Sequence, residues 1–283
     1  MASPPRLQRL TRQPMAAVGL GLVVALTLLA AVAPWIAPYD PLQVQLGPAN
    51  SAPGLEFLLG TDAVGRDCLS RLLYGGRVSL PIGLLAVAVA VSLGTAMGAA
   101  AGFLGGWADT LIGWLTDLFL ALPRLVLLLA VLAVASRVQH GRFLLVALVL
   151  GATGWMPVAR IVRAQVMSTR GRPWVQAARG LGLPPSRILV RHVLPWALPP
   201  VMVHASLLVG TTILAEAALS FLGLGVPQPT PTWGNMIAEG MHRLDSWWLT
   251  VFPGLAITAA VAGFNLLGDG LRDALSREEE TAA

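Results

Sequence analysis

The side chains of this chain with reactive potential are mostly ionisable groups set in apolar sequence. Asp117 and Arg160 fall in two different apolar runs, each about two turns from the same end. Buried charge in an apolar medium persists by pairing or by facing a water-filled path. Their similar depth makes Asp117 and Arg160 candidate partners in an ion pair. Glu216 is a lone carboxylate in another run. It suits either an ammonium group or cation in a path, or a hydrogen bond that fixes helix packing. Asn265 and His204 add neutral polar groups. Arg124, directly after Pro123, has no evident partner, and its plain reading is snorkelling toward an interface.

The chemistry that is missing matters equally. Every one of the 19 cationic residues is Arg; Lys is absent. A phosphate-binding loop needs a Lys on the terminal phosphates, and Schiff-base catalysis needs a Lys amine. If the system consumes ATP, another subunit binds it. No His-Glu-x-x-His helix and no Gly-x-Ser-x-Gly turn occurs. His140, His192, His204 and His242 are scattered without ligand spacing. Cys68, the single cysteine, reads as structural. The expectation is therefore no catalytic residue, no metal and no cofactor in this chain.

One polar stretch stands apart. It runs from Arg172 through Pro173, Gln176, Ala177, Ala178, Arg179 and Gly180 to Gly182, then through Pro184, Pro185, Arg187 and Arg191 to Pro195. Pro173 suits the first turn of a helix. Gly180 and Gly182 end that helix. Pro184 and Pro185 force a turn, and Ser186 is a candidate cap for a second short helix. Ala177 and Ala178 leave a flat spot for a close partner. Trp174, Leu181, Ile188 and Leu189 offer apolar anchor points. A helix this short does not persist alone in water, so it packs as a loop helix or docks a partner.

The elements that hold these groups are apolar. The chain is 55% hydrophobic and 12% charged, against about 25% charged in a soluble domain. It reads as an all-α polytopic membrane protein. Six segments are long enough to cross, roughly 15–36, 78–103, 109–135, 143–164, 199–223 and 248–269. The first follows Arg6, Arg9 and Arg12, and resembles a signal peptide. Its length, and Pro34 after the small-residue site, favour an uncleaved anchor.

Arginine position sets the topology. With the N-terminus inside, the inner segments hold Arg6, Arg9, Arg12, Arg160, Arg163, Arg170, Arg172, Arg179, Arg187, Arg191, Arg272 and Arg277. The outer segments hold Arg66, Arg71, Arg77, Arg137, Arg142 and Arg243. This bias predicts both termini and the loop 165–198 in the cytoplasm. The positive charge then meets anionic headgroups, not nucleic acid. Outside, residues 65–74 carry Leu69, Leu72 and Leu73 at helical spacing, which predicts a short interfacial helix. Thr232 is a candidate cap for a helix from Trp233, and Trp247 and Trp248 are expected to anchor the last span at the headgroups. The resulting organisation is an anchor and outer segment over 1–77, a core over 78–272 and a tail over 273–283 ending in Glu278, Glu279 and Glu280.

The polar stretch resembles the EAA loop of bacterial ABC importer permeases. Gln176-Ala177-Ala178, then Gly182, then His192-Val193-Leu194-Pro195 keep that family's spacing, with Gln for Glu and His for Ile. Further segments resemble the C-type permease subunit of dipeptide, oligopeptide and nickel importers: Leu59–Asp67, Ser70–Gly75, Ala215–Gly225, Trp233–Met236 and Asn265–Asp273. The resemblance spans about 50–275. It implies a type I permease bundle of six transmembrane helices with a cytoplasmic coupling helix. It also implies an inner-membrane location and a related B-type permease partner. Two ATPase subunits would bind ATP and Mg, and an extracytoplasmic binding protein would deliver peptide or, alternatively, nickel or another small solute. Gln176, Ala177, Ala178, Arg179, Gly182, Leu194 and Pro195 would then carry ATPase coupling. Asp117, Arg160, Glu216 and Asn265 are the candidates for the path or for intramembrane polar packing.

Overall fold

The computed structural model describes residues 14–135, 141–241, 243 and 245–282, with side chains through residue 274. Arg6, Arg9, Arg12, Arg137, His140 and His242, and the side chains of Arg277, Glu278, Glu279 and Glu280, lie outside the described residues. The fold is 76% helix, with no strand among the described residues. The helices are α1 Pro14–Ala31, α2 Ala33–Ile36, α3 Cys68–Leu104, α4 Gly106–Ala121, α5 Arg124–Val134, α6 Arg142–Ala152, α7 Trp155–Thr169, α8 Pro173–Gly180, α9 Pro185–Ile188, α10 Leu194–Phe221, α11 Trp233–Met241 and α12 Trp248–Ala282.

Four helices are individually long and apolar enough to cross a membrane: Pro14–Ala31, Cys68–Leu104, Pro185–Phe221 and Trp248–Ala274. Two more crossings arise only if bent pairs are counted as one span each. The α4–α5 pair is bent by 91°, and the α6–α7 pair by 42°. The expected span 109–135 is therefore not one straight helix. Pro123 drives the preceding residue out of the helical region, and Leu122 is extended at φ −85°, ψ 135°. The expected span 143–164 bends at Thr153 and Gly154, between α6 and α7.

Two other boundaries differ from the sequence reading. There is no separate interfacial helix over 65–74. Asp67 caps α3 by accepting the Ser70 amide at 2.7 Å, and the helix then runs unbroken past Pro81 to Leu104. The loop expected over 165–198 also ends early, because α10 starts at Leu194. Pro195 sits in the first turn of α10, where a missing N–H costs no bond. A π-helical turn, Leu189–Val193, joins α9 to α10 without a break.

The centre of the bundle is α3 against α7. Gly94, Gly98 and Gly102 lie at i, i+4 and i+8 of α3, and α7 answers with Val158, Val162 and Val166, all fully buried. A Cβ on Gly94 would stand 2.6 Å from the Val158 Cβ, and one on Gly102 2.9 Å from the Val166 Cβ. Small residues let two membrane helices approach this closely. The anchor helix α1 packs similarly on α12, where a Cβ on Gly19 would stand 2.7 Å from the Leu267 amide nitrogen. Thus α7, which leads into the polar loop, is locked onto the central helix.

Candidate functional site

The polar loop forms as the prolines and glycines dictate. Pro173 occupies the first turn of α8. At its other end, the Gly182 amide donates to Arg179 O at 2.9 Å and the Leu183 amide to Ala178 O at 3.2 Å. These are the two bonds of a Schellman cap, with Gly182 at φ +73° as its left-handed residue. Ser186 does not cap α9; Pro184 holds that position with no side-chain cap, and Ser186 lies inside the helix.

The loop has two faces. Val175, Ala178 and Ile188 are buried in the core that also contains Val162 and Val166. Gln176, Ala177, Arg179, Gly180, Leu181 and Gly182 are exposed. Ala178, a member of the expected contact set, is thus buried within this chain, and Ile188 lies in the core rather than on the outer face. Trp174 stacks on Trp196 with ring centroids 5.5 Å apart, and Arg172 lies over the Trp174 ring at 5.7 Å. Arg179 lies 5.9 Å from the Phe103 ring centroid of α3. Leu194 is half-buried, and Pro195 is exposed.

Arginines of α7 bind the loop's supporting helix to its neighbours. Arg160 Nη2 donates to Asp117 Oδ1 at 2.5 Å, so the expected partners meet. Their side chains remain 57% and 70% exposed. Sequence reading missed the second pair: Arg163 grips both carboxylate oxygens of Asp109, with Nη2 to Oδ2 at 2.7 Å. Its trace in the sequence is that Arg160 and Arg163 are three residues apart, hence on one helical face. Arg170 Nη1 donates to Gly102 O at 2.9 Å.

The other intramembrane polar groups lie against neighbouring helices. Glu216 is fully buried and accepts from Ser79 Oγ at 3.0 Å and Ser220 Oγ at 2.8 Å. These two bonds are those that the helix-packing role expects. Asn265 sits beside Gly210, where a Cβ would stand 3.4 Å from Asn265 Oδ1 at the α10–α12 crossing. His204 is half-buried. Arg124 does not snorkel: its Nη2 donates to Leu150 O at 3.3 Å, between the two helix breaks.

On the opposite side of the bundle lies a buried charge network that the sequence reading treated only as topology. Arg66 Nε donates to Asp62 Oδ2 at 2.5 Å, and Arg71 Nη2 to Glu239 Oε1 at 2.8 Å. Arg66 Nη2 also reaches Glu239 at 3.3 Å, closing the cluster. Burial holds the Glu239 carboxyl above its ordinary range, and the Arg71 and Arg66 guanidiniums offset only part of that rise. The outer segment is held there as well by Trp248, whose Nε1 donates to Thr61 O at 3.1 Å. Trp248 is buried, so only Trp247 of the expected pair is free to meet headgroups. Thr232 Oγ1 accepts the Asn235 amide at 3.1 Å and caps α11.

Residues 90–280 match the family described as binding-protein-dependent transport system inner membrane component. Residues 6–53 match the N-terminal transmembrane domain of oligopeptide transport permease C. The chain is 41% identical to a di/tripeptide transport system permease protein of Pseudomonas aeruginosa, over 94% of this chain and 88% of that relative. It is 37% identical to a dipeptide transport system permease protein of Alkalihalophilus pseudofirmus, over 95% and 87%. It is also 37% identical to an oligopeptide transport system permease protein of Bacillus subtilis, over 92% and 85%.

Proposed function

The chain belongs to the binding-protein-dependent inner membrane transport components, in the dipeptide and oligopeptide branch of ABC permeases, and from that membership we propose that it is one of two permeases forming a peptide path. It lies in the inner membrane as a multi-pass protein. Both termini face the cytoplasm in this reading. A related permease completes the path, two ATPase subunits bind ATP and Mg, and an extracytoplasmic binding protein delivers the peptide.

The observation that carries the reading is the two-faced loop. Its exposed face, Gln176, Ala177, Arg179, Leu181 and Gly182, docks in the ATPase. Its buried face, Val175 and Ala178, sits in the core with α7. Movement of α8 is therefore transmitted to α7, and from α7 to α3 through the glycine–valine seam and to α4 through the arginine pairs. Coupling is differential binding: the docked loop must favour one ATPase state over the other. Gln176 is neutral where the family resemblance expects Glu, so a Glu-type salt bridge with the ATPase does not operate here and a side-chain amide hydrogen bond takes its place.

Co-purification tests this. The permease should retain its ATPase subunits through detergent extraction and lose them with Ala177→Arg or Leu181→Asp while still reaching the membrane. Retention of the ATPase by both variants rejects α8 as the docking element.

A further inference from the structure

Two breaks in membrane helices meet at one cation. The α4–α5 break lies at Leu122 and Pro123, and the α6–α7 break at Thr153 and Gly154. Arg124 stands between them, and a Cβ on Gly154 would be 3.3 Å from Arg124 Nη2. The part of α7 within the expected span, residues 155–164, rises about 15 Å, so this point is near the middle of a hydrocarbon layer about 30 Å thick. Interrupted helices deep in a bilayer are tolerated where they line a cavity. A cavity of about 340 Å³ is present, lined by Leu122, Arg124, Thr153, Gly154, Met156 and Leu208 among others. That volume falls within roughly 300–1,000 Å³, the range of small-ligand pockets.

Arg124 is the one charged residue lining the cavity. A guanidinium carries five N–H donors, yet its single hydrogen bond to a described residue is the one to Leu150 O. Its Nε is buried without a partner. A cation in an apolar environment with donors to spare is complementary to a carboxylate, which Arg grips in a planar, two-point geometry.

We propose that Arg124 takes the terminal carboxylate of the peptide in transit, at the junction of the two broken helices. This rests on the peptide-importer reading. The remaining lining residues are apolar or small, so the cavity grips the terminus and leaves side chains unread. Thr153 offers no spare donor, since its single hydroxyl proton is shared between Val149 O and Leu150 O at 2.9 and 3.1 Å.

The complete importer, with partner permease, ATPases and binding protein, would be reconstituted in proteoliposomes. ATP-driven uptake of trialanine and trialanine amide is measured at concentrations that fully load the binding protein with either. The wild type should move the free acid about tenfold faster than the amide, the scale of one lost charge-assisted bond. Arg124→Met should remove that preference by slowing the acid alone, and Arg124→Lys should keep part of it. Equal wild-type rates for acid and amide overturn the assignment without any variant. Equal slowing of both by Arg124→Met overturns it too, because Arg124 is then only a clasp on the Leu150 carbonyl. Wild-type uptake of neither peptide rejects the peptide-importer reading itself.

Discussion

Arg71 of α3 donates through Nη2 to Glu239 of α11 at 2.8 Å, with Arg71 only 1% exposed and Glu239 15%. Asp62 and Arg66 complete a cluster of two cations and two anions. Removing one member leaves a buried charge unmatched. Glu239→Gln should lower stability by about 3 kcal/mol. Removing Arg71 and Glu239 together, as Arg71→Met with Glu239→Leu, leaves the Asp62–Arg66 pair balanced and should recover most of that loss. Thermal unfolding of the detergent-solubilised complex compares the three proteins. A double variant no better than Glu239→Gln would show that the cluster stabilises by more than charge balance.

Glu216 should behave as a packing acceptor. Ser79 Oγ donates to it at 3.0 Å and in turn accepts the Trp233 amide at 3.3 Å, so one carboxylate organises α3, α10 and the start of α11. Glu216→Gln keeps an acceptor and should leave uptake nearly unchanged. Glu216→Ala leaves the two serines short of a partner and should destabilise by about 2 kcal/mol. Uptake and thermal stability are read together. Loss of uptake by Glu216→Gln at full stability would instead place Glu216 in the path.

Much of this architecture was legible from the chain. Apolar length marked the four helices long enough to cross, and proline and glycine placement gave the ends of α8, because φ limits and missing donors act locally. What was illegible depended on which faces meet. Ala177 and Ala178 look equivalent in sequence, yet a 100° step around the helix exposes one and buries the other in the core. The break at Leu122 required weighing Pro123 against an otherwise uninterrupted apolar run. The Asp109–Arg163 pair and the contacts of Glu239 with Arg66 and Arg71 join residues distant in the chain. No spacing rule reaches that far.

Asp117 and Arg160 are mostly exposed within this chain, so their pair should add little stability, at most about 1 kcal/mol. Their importance would lie in orienting α4 against α7 during transport. Asp117→Arg or Arg160→Asp alone should impair uptake, and the exchange of both should restore it better than either. Uptake by membrane vesicles measures this. An exchanged pair as poor as the single variants rejects the pairing as functional.

Gly182 makes the sharpest test of the loop. Its φ of +73° costs most L-residues about 1–2 kcal/mol. A Cβ added there meets nothing within 4 Å, so the chain itself imposes no steric barrier. Gly182→Asn, tolerant of the left-handed region, should therefore retain the cap and nearly normal expression. Gly182→Asp adds a charge on the exposed face beside Leu181, where the proposed ATPase seat would have to accept it. It should leave the permease in the membrane and uncouple ATP hydrolysis from uptake. ATPase activity and uptake are measured together for both variants. Normal, coupled transport by Gly182→Asp would remove this end of α8 from the docking surface, while equal failure of Gly182→Asn and Gly182→Asp would show that the open space around Gly182 is filled by a partner tolerating only glycine.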